Sequence, residues 1–348
     1  MKAEHLFPYK WNLADGYPAA GIEPHSLKVF GTFICGGGSS MGYKLAGFHH
    51  LGGVEIDPKV ATIYEDNHHP EYLFVEDLRV FNQREDLPAE LYNLDVLDGS
   101  PPCSTFSMAG DRERAWGKEK IFAEGQALQT LDDLVFVYCE TIKKLRPKVF
   151  LLENVKGLAL GNARSYLRRI FTTLDTAGYD CQIFVLNAAS MGVPQVRERC
   201  YIIGRRKDLN LPKLTLSFNE RPVYFGQVLD KTDTRCTMSP SMLEAFKRLR
   251  PEDRKLSHTN MREFAKASGF TKPWANADRV CPTLTTSLTF LQAFPRELNE
   301  KELCQISTFP LDYKCPNPTR LRWLTGMSVP PVMMAQIAHQ IYLQLFNK

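Results

Sequence analysis

Apolar and polar residues alternate in two rhythms over the first two-thirds of the chain. Residues 27–35 form a compact apolar run ending in glycines, which predicts a strand entering a tight turn. A helix start follows at 40–47. The exchange repeats, with a strand at 50–56, a helix at 60–67, short strands at 73–75 and 94–97, and a helix at 131–145. It continues with a strand at 148–152, a helix at 165–177 and strands at 181–187 and 199–203. Strands alternating with helices predict a mainly parallel sheet covered on both faces. The last two strands are expected to pair as an antiparallel hairpin at one end. After residue 206 the pattern becomes irregular and richer in Pro and charge. A smaller domain is therefore expected at 206–299, with 1–205 and 300–348 forming the larger one. Residues 335–346 return to apolar helical spacing.

Composition narrows the class. The chain has 348 residues, 44% hydrophobic and 24% charged, an ordinary globular mix with room for a full core and a second domain. No apolar run approaches the ~18 residues of a bilayer span, and the first 21 residues lack a signal peptide's apolar centre. A cytoplasmic protein is expected. The nine cysteines are odd in number and scattered without a C-x-x-C pair, which suits a reducing compartment and gives no zinc spacing. His49-His50 and His68-His69 are adjacent rather than four apart, so they are expected on the surface or in loops and no metal site is assigned. The net charge is +4, yet between residues 205 and 275 there are 15 Lys/Arg against 8 Asp/Glu. A basic module joined to a slightly acidic domain suits a polyanion; a Lys-rich solvated surface would give the same count.

The candidate chemistry lies at strand ends. Cys35-Gly36-Gly37-Gly38 follows the first strand, where glycines permit a sharp turn and close approach to a ligand. About 20 residues on, the second strand ends Glu55-Ile56-Asp57, and an acid there can hold a ribose diol. That spacing predicts an adenosine moiety without choosing between nicotinamide and S-adenosylmethionine cofactors. The third strand ends Glu76-Asp77. After the fourth comes Pro101-Pro102-Cys103-Ser104, a free thiol behind two stiffening prolines. The polar, Gly-containing segment behind it has the composition of a lid. The next strand runs apolar into Glu153-Asn154-Val155, where desolvation favours a protonated carboxyl. Gln195, Arg197 and Arg199 alternate along an extended segment, so one face is expected to carry an amide and two guanidinium groups.

Pro101-Pro102-Cys103, Glu153-Asn154-Val155 and Gln195-x-Arg197-x-Arg199, in this order, resemble the DNA cytosine-5 methyltransferases of bacterial or phage type. Residues 33–48, 279–285 and 320–341 are similar to the family's first, ninth and tenth motifs. The resemblance implies an α/β fold: a Rossmann-like mixed sheet of the S-adenosylmethionine-dependent kind, with a smaller irregular target-recognition domain. It implies Cys103 as nucleophile, Glu153 and Arg199 at the base, and Arg197 organising the catalytic loop. It places Phe33, Gly36, Gly37, Gly38, Glu55, Ile56, Asp77 and Pro102 at S-adenosyl-L-methionine, with S-adenosyl-L-homocysteine as product. Ser104, Ser107, Gln195, Arg279 and Thr283 become DNA or loop contacts. Double-stranded DNA is the implied partner of a monomer, with base flipping and a cognate restriction endonuclease acting separately.

The sequence departs from the family pattern in four places. Cys35 stands where Gly is usual, Ser104 where Gln commonly follows the nucleophile, and Ala338-His339 where Gly-Asn is usual; the segment 110–131 is longer. An RNA cytosine methyltransferase, a non-catalytic DNA-binding relative and a nicotinamide-dependent dehydrogenase are the competing readings.

Overall fold

The computed structural model describes residues 5–102, 134–159, 163–264, 273–286 and 295–347. Seven strands form one mixed sheet: β1 (Lys28–Thr32), β2 (His49–Glu55), β3 (Tyr72–Val75), β4 (Val96–Gly99), β5 (Val149–Val155), β6 (Tyr179–Asn187) and β7 (Glu198–Arg206). Their order is β3-β2-β1-β4-β5-β7-β6. The first five run parallel, and β7 is antiparallel to both β5 and β6. The expected terminal hairpin is therefore present.

Parallel neighbours need long crossovers, and among the described residues an α-helix follows each of the first five strands. These are α1 (Gly38–Leu45), α2 (Pro58–His68), α3 (Leu78–Gln83), α4 (Leu134–Leu145) and α5 (Arg164–Thr176). The chain builds outward from β1 to β3, then returns to place β4 on the other side of β1. That reversal makes a switch point between β1 and β4, and ligands in open α/β sheets bind beside such a point at the strands' carboxyl ends.

One core runs beneath the sheet, with Phe30, Leu97, Phe150 and Ile202 packed among Phe81, Tyr138, Ile142 and Ile170. The Tyr138 hydroxyl lies 2.9 Å from the Leu97 carbonyl and 2.8 Å from that of Leu151, pinning α4 across β4 and β5. Sheet and helices belong to a compact unit of Tyr17–Asn187, Glu198–Ser217 and Met334–Lys348.

A second unit comprises Met1–Gly16, Ala188–Arg197 and Phe218–Met333. It carries α6 (Phe225–Val228), α7 (Pro240–Lys247), α8 (Ser257–Phe264), α9 (Glu300–Ser307) and α10 (Pro318–Met327). Val223, Phe225, Cys281, Leu284, Leu303 and Ile306 form its core. Arg296 and Glu302, 1% and 0% exposed, make a two-pronged ion pair at 2.8 and 2.9 Å. Residues 5–16 are tied into this unit: Trp11 Nε1 donates to the Thr308 carbonyl at 2.9 Å, and Asp312 accepts from the Leu13 and Ala14 amides. The chain passes into the sheet unit within α11 (Pro331–Ile341).

Among the described residues, no helix is long and apolar enough to cross a membrane. The histidine pairs correct one expectation. His49 and His69 are exposed, but His50 and His68 are buried. Adjacent residues of a strand point to opposite faces, so β2 turns His50 inward while His49 stays in solvent, and the last turn of α2 buries His68.

Candidate functional site

Phe33 (φ 56°), Cys35 (φ 48°) and Gly37 (φ 78°) all occupy the left-handed region, and Gly37 caps the start of α1. This conformation suits glycine and strains other residues, so Cys35 takes the shape of the residue usual at its position. Strain of this kind gathers at ligand loops. The Glu55 carboxylate fixes the turn: Oε2 accepts from the Cys35 amide and Oε1 from the Asp57 amide, both at 3.0 Å. Burial raises the Glu55 pKa and these backbone donors oppose the rise. Asp57 caps α2. Asp77, at the end of β3, caps α3 through the Arg79 amide (2.8 Å) and pairs with the Arg79 guanidinium (3.0 Å). Phe33, Gly36, Gly37, Gly38, Glu55, Ile56 and Asp77 thus stand at the carboxyl ends of three adjacent strands.

The second half of the site follows β4 and β5. Pro101 is buried, and its carbonyl accepts from Asn154 Nδ2 at 3.2 Å. Asn154 thereby anchors the strand-end loop containing Pro102. Next to it, Glu153 Oε1 lies 3.1 Å from Arg199 Nε, with both side chains largely buried (11% and 17% exposed). Antiparallel register sets Val155 opposite Arg199 and Glu153 opposite Tyr201, so the pair is a diagonal contact on one face. Cys103, Ser104, Ser107 and the expected lid lie outside the described residues.

Asp98 escaped the sequence reading. It is 4% exposed near the end of β4, 3.5 Å from the Tyr43 hydroxyl. Burial, with a smaller push from Glu153, raises its pKa to about 7 against hydrogen bonds from Ser39 and Tyr43. It stands four positions before Pro102, and only its apolar environment marks it out.

Of the alternating polar residues, Gln195 and Arg197 belong to the helical unit and Arg199 to the sheet unit. In the helical unit Gln195 is fully buried, accepting from the Leu284 amide at 3.0 Å and donating to the Ile306 carbonyl at 3.4 Å. Arg197, 1% exposed, donates to the carbonyls of Leu284, Gly326 and Met327 over 3.1–3.3 Å. The Thr283 hydroxyl donates to the Val196 carbonyl, and the Val196 amide donates to Cys281 at 2.8 Å. Segment 195–197 is thus stitched to 281–284 and to the end of α10. Arg279 is exposed, and its carbonyl accepts from the Phe225 amide.

A family model described as C-5 cytosine-specific DNA methylase matches residues 27–343. The type II methyltransferase M.NgoPII of Neisseria gonorrhoeae is 32% identical over 189 residues, 53% of this chain and 50% of that protein. M.FnuDI of Fusobacterium nucleatum is 33% identical over 53% of this chain and 48% of its own. The chain spans about half the length of these relatives. Against M.Bsp6I of Bacillus sp. (strain RFL6) it is 29% identical over 91% of this chain and 98% of that protein. Among solved structures, a mutant of Spodoptera frugiperda DNMT2 superposes with a TM-score of 0.64 at 17% identity, covering 91% of this chain and all of that one. The Entamoeba histolytica methyltransferase EhMeth gives 0.58 at 14% identity, over 91% and 98%. At these identities the structures share the fold.

Proposed function

Because the chain belongs to the C-5 cytosine-specific DNA methylase family, we propose that it methylates C5 of a cytosine within a short sequence of duplex DNA, as the modification half of a restriction–modification system. The carrying observation is the Glu153–Arg199 pair at 3.1 Å beside the loop that Asn154 anchors. It brings a carboxyl and a guanidinium together where a pyrimidine's N3 and O2 would be bound.

Cytosine C6 is a weak electrophile until the ring is polarised. A hydrogen bond from the Glu153 carboxyl to N3 and the Arg199 guanidinium at O2 withdraw electron density. The Cys103 thiolate then bonds to C6, and the displaced electron pair settles at C5. S-adenosyl-L-methionine, when bound, would supply an electrophilic methyl group to that C5 pair, its S–CH3 bond breaking to leave S-adenosyl-L-homocysteine. Loss of the C5 proton and expulsion of the thiolate restore the aromatic ring and the free enzyme.

The residues fit that cofactor. Left-handed turns at Phe33, Cys35 and Gly37 expose backbone, Glu55 retains free lone pairs for a ribose diol, and Asp77 stands at the adjoining strand end. Arg197 acts by holding its segment in place. Target recognition falls to residues 206–299, where Lys and Arg give phosphate affinity and a few side chains, Arg279 and Thr283 included, read DNA. Ser104, Ser107 and Gln195 belong to the loops around the flipped base. The enzyme works as a monomer in the cytoplasm of a bacterial or phage-infected cell.

Expression in a host lacking cytosine methylation, followed by bisulfite sequencing, tests the reading and yields the target. A 5-fluorocytosine duplex should form a covalent adduct that Cys103→Ser abolishes. Absence of both methylated cytosine and adduct would refute the proposal; methyl transfer to tRNA but not to duplex DNA would replace it with the RNA reading.

A further inference from the structure

We propose that His68 is a positioning residue for the cofactor, acting through the Gly36–Gly37 turn it supports. The proposal rests on the S-adenosylmethionine reading above. His68 Nε2 lies 3.4 Å from the Gly36 carbonyl. A carbonyl can only accept, so the imidazole donates from Nε2 and the ring is the Nε2–H tautomer. The imidazole also occupies the space beside Gly37: a Cβ added there would fall 2.0 Å from His68 Nε2. The turn is therefore shaped on one side by Glu55 holding the Cys35 amide and on the other by the His68 ring.

The ring is itself held firmly. It stacks on Tyr64 at 4.2 Å with a 12° interplanar angle, and the Tyr64 hydroxyl donates to Ser40 Oγ in α1 at 3.0 Å. Lys44 Nζ donates to the His68 carbonyl at 3.1 Å, joining the end of α2 to α1 a second time. Since α2 begins just after Glu55 and Ile56, one rigid helix connects the expected ribose acid to the expected glycine cradle.

Filling space does not account for a histidine here. Among the described residues its Nδ1 is buried without a hydrogen-bond partner, a cost that an apolar residue of similar size would avoid. Burial, then the charge of Lys44 and then His50 hold its pKa well below the ordinary histidine value. The neutral ring therefore persists, and Nε2 stays a donor.

Two variants separate the donor from the packing. His68→Leu keeps apolar volume and removes the donor; His68→Gln restores an N–H at a similar reach. With S-adenosyl-L-homocysteine as calorimetric probe, His68→Leu should bind about tenfold more weakly and His68→Gln within about threefold of the original. Long-range 15N–1H spectra of the unmutated protein should show His68 as the Nε2–H tautomer, with its Nε2 signal shifting when the probe saturates. Those spectra decide the matter even if His68→Leu fails to fold. Unchanged affinity in a folded His68→Leu protein, or an Nδ1–H tautomer, overturns the proposal alone. No binding of the probe by the unmutated protein overturns the cofactor reading and this proposal together.

Discussion

Arg199 meets Glu153 diagonally across two antiparallel strands, at 3.1 Å and largely out of solvent. The rung that carries Arg199 is thus not the rung that carries Glu153, and a one-residue slip of β7 would turn the guanidinium to the opposite face. Arg199→Ala should reduce methyl transfer to a cytosine duplex by about 100- to 1,000-fold, in line with the loss of one preorganised donor. Binding of S-adenosyl-L-homocysteine should stay within about threefold, because the cradle proposed for it is built on other strands. Tritium transfer from labelled cofactor and calorimetry measure the two effects separately. A variant defective mainly in cofactor affinity would contradict the assignment.

Gly37→Ala puts a methyl group into the His68 ring and a side chain onto a left-handed residue. Overpacking and backbone strain together should cost about 2–4 kcal/mol. Thermal denaturation should register the loss, and the stabilising shift that the proposed function expects from S-adenosyl-L-homocysteine should be absent in this variant.

Asp98 should impose a pH dependence on folding. Between the ordinary aspartate value of 3.8 and about 7 the folded protein retains a proton that the unfolded chain has released. Its contribution is fully present at low pH and is lost as pH rises through about 7. A shift of this size corresponds to about 4 kcal/mol across the window. Asp98→Asn, which keeps the acceptor oxygen and removes the titration, should therefore gain on the original protein in urea melts at pH 8.5 relative to pH 5. Equal differences at the two pH values would contradict a raised Asp98.

Arg197→Met should act on folding rather than on a base. It leaves the carbonyls of Leu284, Gly326 and Met327 without this donor in a buried setting. A loss of about 3 kcal/mol is expected from unsatisfied buried groups, seen as a lowered denaturation midpoint without ligand. Arg197→Lys should recover little, since a single ammonium cannot reproduce the forked geometry.

The strands were legible because local periodicity encodes them. The apolar runs at 27–35, 50–56 and 148–152 correspond to β1, β2 and β5, and the pair 181–187 and 199–203 became the β6–β7 hairpin. The placement of Glu55, Asp77 and Glu153 on or just after strands was legible for the same reason, as polar residues following apolar runs. What stayed hidden depends on distance along the chain. Nothing near Gln195 or Arg197 announces that their partners lie at 284, 306 and 326. His68 and Asp98 look like ordinary polar residues until the fold buries them.

The strap formed by residues 5–16 bears on the order of events at the ribosome. Trp11 is made first, and its hydrogen-bond partner Thr308 follows 297 positions later. At roughly 5–20 residues per second, that is a delay of about 15 to 60 seconds. Among the described residues the sheet's last strand closes at Arg206, so the nascent chain can assemble its central layer while segment 5–16 still waits. The helical unit, drawn from three separated stretches, is completed only once Met333 has been added. During that interval Phe7 and Trp11, both buried in the finished fold, lack the cover that the later stretches give them.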